Sequence, residues 1–412
     1  MNKQKQFKII NITLLFLIFF LAFSNRYRSW SISGTGEVIS FSNNGQMIAY
    51  ATGKQTSKQI NPEPEKGKAS VQGSSQIEVR TVNNDKIIQT FDFFSASSIA
   101  FSPDDTLMAV GGYGGEIKIW RIQNGELIYT LRNAEHYKDK TKTLLFTPDG
   151  KTLISSTISH SDSQYRNSNI SVWNLERGVN INTVYQPFTC AAISSDGQLF
   201  ALGGNKSIIT IHRTKDNVPI QHLDDFQEKN PHFCNELIFS HDNQLLVSTG
   251  SSRRQDNVFV HRVSDGKLLR ATHQVSLFRR HHSPTDTKLS PNSNFIATSY
   301  SVKPAGGGSL FINSPNFEVS IGLFGHINFW HLKSGFPFPL ATIRAHWRKA
   351  NAIAFSPDGK WLASMSGSRK NHNRVRLWRM PPYSGWWWFL GSIALVVWVF
   401  RYKNELQEWI NR

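Results

Sequence analysis

Seven times along the chain an apolar residue is followed by Ser or Thr and then by a turn sequence, and a repeat of this kind constrains the fold more than any other feature. The marks are Phe41-Ser42-Asn43-Asn44-Gly45, Phe101-Ser102-Pro103-Asp104, Phe146-Thr147-Pro148-Asp149-Gly150, Ile193-Ser194-Ser195-Asp196-Gly197, Phe239-Ser240-His241-Asp242, Leu289-Ser290-Pro291-Asn292 and Phe355-Ser356-Pro357-Asp358-Gly359. Proline fixes φ, aspartate caps the turn and glycine accepts a positive φ, so each mark joins two antiparallel strands. A second recurring element is an alternating strand ending in Trp, His or Arg: Ile77 to Arg80, Ile117 to Trp120, Ile170 to Trp173, Ile209 to His212, Val258 to His261, Ile327 to Trp330 and Val375 to Trp378. A further turn, such as Gln123-Asn124-Gly125 or Ser264-Asp265-Gly266, leads from it into a fourth strand.

Four short strands per unit and seven units predict an all-β, seven-bladed β-propeller over residues 26–380; the count rests on spacing, with six or eight as the alternatives. The units resemble the WD-repeat family, most clearly over Ser98 to Leu131 and Ala345 to Trp378, and the resemblance covers nearly everything from Tyr27 to Met380. The family's Trp-Asp pair is here Trp-Arg, Trp-Asn or Trp-His. Its Gly-His survives only loosely at His136 and Ala345-His346, and the Asp before the Trp strand is missing. The resemblance implies the fold and a binding role, with most of the family's side-chain network absent.

The last unit ends at Trp378-Arg379-Met380 and two prolines, so it lacks a fourth strand, whereas Arg26 to Ile32 stands where a fourth strand would stand with no first three. The N-terminal strand is therefore expected to complete the last blade, which removes an exposed edge and resists opening of the ring. Strand direction then puts both chain ends on the face of the Pro-Asp-Gly turns.

Apolar segments flank this body. Ile9 to Phe23 follows Lys3, Lys5 and Lys8; within residues 1–25 it reads as a membrane anchor or, with Ala22-Phe23-Ser24 as a cleavage site, as a signal segment. Residues 383–402, uncharged from Gly385 to Phe400 and bordered by Trp386, Trp387, Trp388 and Tyr402, read as a transmembrane helix before a polar tail, 403–412. The flanking Lys and Arg residues lean toward both ends inside the cytoplasm. An integral membrane protein is expected, its propeller in the periplasm or a lumen and its tight-turn face toward the lipid.

Length variation falls on the opposite face, where Lys54 to Gln76 and Val302 to Gly325 are the largest insertions. Much of the net charge of +17 gathers there. Lys138, Lys140, Lys142, Arg253, Arg254, Arg279, Arg280, Arg344, Arg348, Lys349, Arg369 and Lys370 form the candidate partner-binding set, expected to steer an acidic protein partner. Nucleic acid and small-molecule substrates are not expected. The competing readings are a structural or assembly subunit working through its membrane helices, and an enzyme with a site in the central channel.

The residues themselves give no chemistry. Gly-x-Ser-x-Gly, the Gly-rich phosphate loop and His-Glu-x-x-His are all absent, so no enzyme, cofactor or catalytic residue is predicted. Arg279-Arg280-His281-His282 lacks a third ligand for a metal. Cys190 and Cys234 cannot make a disulfide framework and read as buried strand filler.

Overall fold

The computed structural model describes residues 27–31, 38–52, 74–132, 139–159, 168–204, 208–223, 233–251, 255–275, 284–300, 310–314, 317–321, 325–331, 341–346, 350–366 and 374–380. They form seven four-stranded antiparallel sheets, and Leu310–Ser314 pairs with Phe317–Ile321 in a separate hairpin. The first strands of the sheets, in chain order, are Ile39–Phe41, Ala96–Phe101, Lys140–Phe146, Cys190–Ile193, Phe233–Phe239, Pro284–Leu289 and Ala350–Phe355. Each touches the first strand of the next sheet, and Ala350–Phe355 touches Ile39–Phe41 in turn. The inner strands therefore close a ring, with the other strands of each sheet stacked outward from it.

Burial follows this geometry. Second strands are covered on both faces by neighbouring sheets, so Met47–Thr52 and Trp361–Ser366 are buried along almost their whole length and read as apolar and small residues without alternation. Fourth strands form the circumference, and Val179–Tyr185 is exposed or half-exposed throughout. The core lies between sheets: Phe91 and Phe93 of the first pack with Met108, Val110 and Trp120 of the second. Ile39 and Tyr50 of the first pack with Ala363, Met365 and Leu377 of the last.

All seven turns between first and second strands share one hydrogen-bond pattern. The Ser or Thr hydroxyl donates to the Asp or Asn two residues on, at 2.6 Å in Ser102–Asp104 and 2.8 Å in Ser290–Asn292. It also accepts the N–H five residues on, as from Leu107 at 2.9 Å and Trp361 at 2.9 Å. The fourth residue of each turn has a positive φ: Gly45, Gly150, Gly197 and Gly359, but also Asp105, Asn243 and Ser293. These three side chains have a second use. Asp105 accepts the backbone N–H of Asn43, Asn243 that of Ser195 and Ser293 that of His241, each in the turn of the preceding sheet. Three neighbouring pairs of turns are thereby laced together on one face of the ring.

The third-strand residue at the Trp, His or Arg position packs against a neighbour in each of these cases. Trp120 lies 5.2 Å from Phe91, and His212 stacks on Phe200 at 4.9 Å. Trp173 Nε1 donates to Ser155 Oγ at 2.9 Å and Trp378 Nε1 to Ser364 Oγ at 2.8 Å, so two sheets keep a Trp-to-Ser bond.

Tyr27–Ser31, within the stretch read as a fourth strand, pairs antiparallel with Arg374–Arg379. Alternating strand direction brings both to the tight-turn face. Residues 1–25, 383–402 and 403–412 lie outside the described residues, as does Lys54 to Gln76 up to residue 73. Among the described residues no helix is long and apolar enough to cross a membrane.

Candidate functional site at the inner ring

Chemistry-bearing side chains gather on the inner strands. Five of these strands carry a bulge near their starts, between Ala96 and Ser98, Thr141 and Thr143, Cys234 and Glu236, Pro284 and Asp286, and Ala350 and Ala352. A bulge leaves one residue out of the ladder and re-aims its neighbours. Here the re-aimed side chains cross to the next sheet. Ser97 Oγ donates to the Thr141 carbonyl at 2.6 Å, and Thr143 Oγ1 to that of Ala191 at 3.4 Å. Glu236 accepts the Thr287 N–H at 2.7 Å, and Asp286 accepts the Ile353 N–H at 2.8 Å.

The two acids share Lys288, whose Nζ lies 2.6 Å from Asp286 Oδ1 and 3.4 Å from Glu236 Oε1. Their side chains are only 13% and 15% exposed. Burial works against the Glu236 charge, but the Lys288 and Lys142 ammoniums and the Thr287 N–H outweigh it and hold this carboxyl below its ordinary range. For Asp286 burial wins: helped by the Glu236 charge and opposed by Lys288, it lifts the carboxyl to about 6. Burial would deprotonate Lys288, yet the two carboxylates raise it further above its ordinary value. A lysine held as an ammonium between two acids is neither a nucleophile nor a base. What the cluster does is tie three successive sheets together through paired charges and backbone N–H groups.

Cys190 and Cys234, read in the sequence as separate filler, are both buried but joined in a disulfide, with Cα atoms 5.8 Å apart. The correction follows from the ring: it sets the fourth and fifth inner strands side by side, which spacing alone did not reveal.

The candidate partner-binding set is only partly placed. Lys140 and Lys142 stand on the inner strand Lys140–Phe146 and not in a loop; Lys140 Nζ lies 5.2 Å from the centre of the Tyr113 ring, and Lys142 contributes its charge to Glu236. Arg344 lies on the strand Ala341–His346. Lys138, Arg253, Arg254, Arg279, Arg280, Arg348, Lys349, Arg369 and Lys370 fall outside the described residues. Sequence reasoning missed Glu236, Asp286 and Lys288. The available signal was a charged residue three places before Phe239 and three before Leu289, where the other units have Val38, Ser98, Thr143, Cys190 and Ala352. Among the described residues no three His, Cys, Asp or Glu side chains are grouped to hold a metal ion.

Comparison with known proteins adds to this geometry. Residues 86–121 and 337–379 match the family model "WD domain, G-beta repeat". Eukaryotic translation initiation factor 3 subunit I of Candida albicans is 22% identical over 283 residues, which is 65% of this chain and 74% of that protein. Target of rapamycin complex subunit LST8 of Rattus norvegicus is 22% identical over 288 residues, 68% of this chain and 74% of its own length. Apoptotic protease-activating factor 1 of Homo sapiens is 32% identical over 123 residues, where the match spans only 9% of that protein. A chain in a crystal structure of a mitotic checkpoint complex superposes with a TM-score of 0.61 at 15% identity, covering 86% of this chain and 91% of its own. The closed ring makes this chain a β-propeller, and two of its segments match the WD-repeat model.

Proposed function

We propose that the protein is a membrane-tethered, seven-bladed scaffold that binds a protein partner through the face opposite its tight turns. The observation that carries this reading is the pairing of Tyr27–Ser31 with Arg374–Arg379. It brings both chain ends to one face, so apolar segments at 9–23 and 383–402 would anchor that face and leave the other open. The partner is acidic and is met by Arg253, Arg254, Arg279 and Arg280 with the neighbouring basic loops, on the non-cytoplasmic side of the membrane. Two relatives are named as subunits of larger assemblies, which supports binding over catalysis. Locking of Lys288 between two acids supports the same choice.

The test is capture of partners by the full chain at rising salt, beside a variant with these four arginines changed to Glu. Loss of an acidic partner in the variant, and steep loss with salt in the parent, is the expected result. Unchanged capture would reject the basic face and favour a subunit that works through its membrane segments.

A further inference from the structure

Side chains at the starts of the inner strands cross to the next sheet at several boundaries, and at one of them the crossing is covalent. Ser97, Thr143, Glu236 and Asp286 each reach the next sheet by a hydrogen bond. Between the fourth and fifth sheets a covalent link is added at Cys190, which sits three residues before Ile193 as Glu236 sits three before Phe239, and which bonds to Cys234. The Cα separation of 5.8 Å falls in the middle of the range that a disulfide spans without moving the backbone. A second observation comes from the strand Leu199–Gly203. A Cβ at position 203 would overlap both sulfurs and stand 3.0 Å from the Cys234 Cβ, so glycine supplies the space that the bridge occupies. Beside it Thr189 Oγ1 donates to the Cys234 carbonyl at 3.1 Å and fixes the same two strands in register. Cys190 is wholly buried and Cys234 nearly so, which shields the bond from small thiols.

We infer that Cys190–Cys234 is a permanent staple across this one sheet boundary, installed by oxidative folding, and that the propeller body matures where a disulfide-bearing thiol oxidant is supplied. In that step the two thiols give up two protons and two electrons. Their sulfurs join through a mixed disulfide, the S–S bond of the oxidant breaks, and the oxidant leaves as its dithiol. A reducing cytosol disfavours such a bond, whereas a periplasm or secretory lumen sustains it. This deepens the sidedness part of the proposed function, and its thiol readout is independent of any partner.

The experiment uses the full chain in the membranes of its own cells. Intact cells are quenched in acid, the protein is denatured and its thiols are labelled with a bulky maleimide, with and without prior reduction. Two labels after reduction and none before is the expected result; two labels without reduction overturns the staple. Protease protection of the same preparation in vesicles of known orientation tests the compartment. A bridged propeller shielded from protease on the cytoplasmic side supports the inference, and a bridged propeller digested from that side overturns the compartment while leaving the basic-face test untouched.

Discussion

The Asp105 carboxylate accepts hydrogen bonds from the backbone N–H groups of Asn43 and Asn44, at 2.7 and 2.9 Å, and so joins the turn of the second sheet to that of the first. Asp105 holds a φ of 57°, a left-handed conformation that favours glycine, and the strain is offset by these bonds. Replacing it separates the two effects. Asp105→Ala keeps the strained backbone and loses the bonds, and should cost about 1–2 kcal/mol in chemical denaturation. Asp105→Gly loses the bonds but relieves the backbone, and should lie between Asp105→Ala and the parent. Equal losses in both variants would mean that the bonds alone matter.

The turn aspartates predict how the fold fails in acid. Asp104, Asp149 and Asp242 are held below the ordinary range chiefly by the Ser102, Thr147 and Ser240 hydroxyls. In Asp196 and Asp358 burial pushes the other way and is outweighed by Ser194 or Ser356 together with backbone N–H groups. Depressed carboxyls contribute stability that is present above their unfolded value and lost as pH falls through the folded one. Unfolding followed by circular dichroism should therefore set in below the ordinary Asp range. Changing two or more of these residues to Asn should weaken that acid dependence.

Asp286 should behave in the opposite sense. Its carboxyl is raised to about 6, so its contribution is present below the ordinary Asp value and lost as pH rises through about 6. In Asp286→Asn this decline should disappear from a plot of melting temperature against pH. Glu236→Gln removes a neighbouring negative charge, so the Asp286 midpoint, read by carboxyl NMR, should move down; no movement would show that the two acids do not interact.

Gly203 offers a double-mutant test of packing at the bridge. Gly203→Ala places a methyl group against both sulfurs and should cost on the order of 1–3 kcal/mol. With Cys190 and Cys234 both changed to Ala, the same substitution should cost less, because its target has shrunk.

Removal of Tyr27–Ser31 would leave the last sheet with three strands and expose Arg374–Arg379 as an edge. The shortened chain should lose several kcal/mol and gain a tendency to associate, visible by light scattering. An unchanged melting temperature would mean that the first strand does not hold the ring closed.

The repeat was legible in the sequence because its signals are local. Phe101-Ser102-Pro103-Asp104 and its six counterparts each encode a turn within a few residues, and the ring closure followed from noticing that one unit lacked a strand and that Arg26 to Ile32 stood alone. Features that depend on which strands become neighbours were not legible. The bond between Cys190 and Cys234, 44 residues apart, needs the fourth and fifth inner strands side by side. The sharing of Lys288 by Glu236 and Asp286 needs the fifth and sixth. Lys140 and Lys142 were read as loop residues because the start of a strand is poorly marked where no proline or glycine punctuates it.

The pairing of Tyr27 with Trp378 also imposes an order in time. During synthesis the strand Tyr27–Ser31 emerges first, yet its partner Arg374–Arg379 emerges only after the other sheets have been made. For the whole of translation it is a strand without a mate, and the ring stays open until the last repeat leaves the ribosome. Closing across nearly the full span of the chain is slow in comparison with forming any one sheet. The first and last strands of the propeller are therefore the elements most exposed to misassembly and to chaperones until they pair.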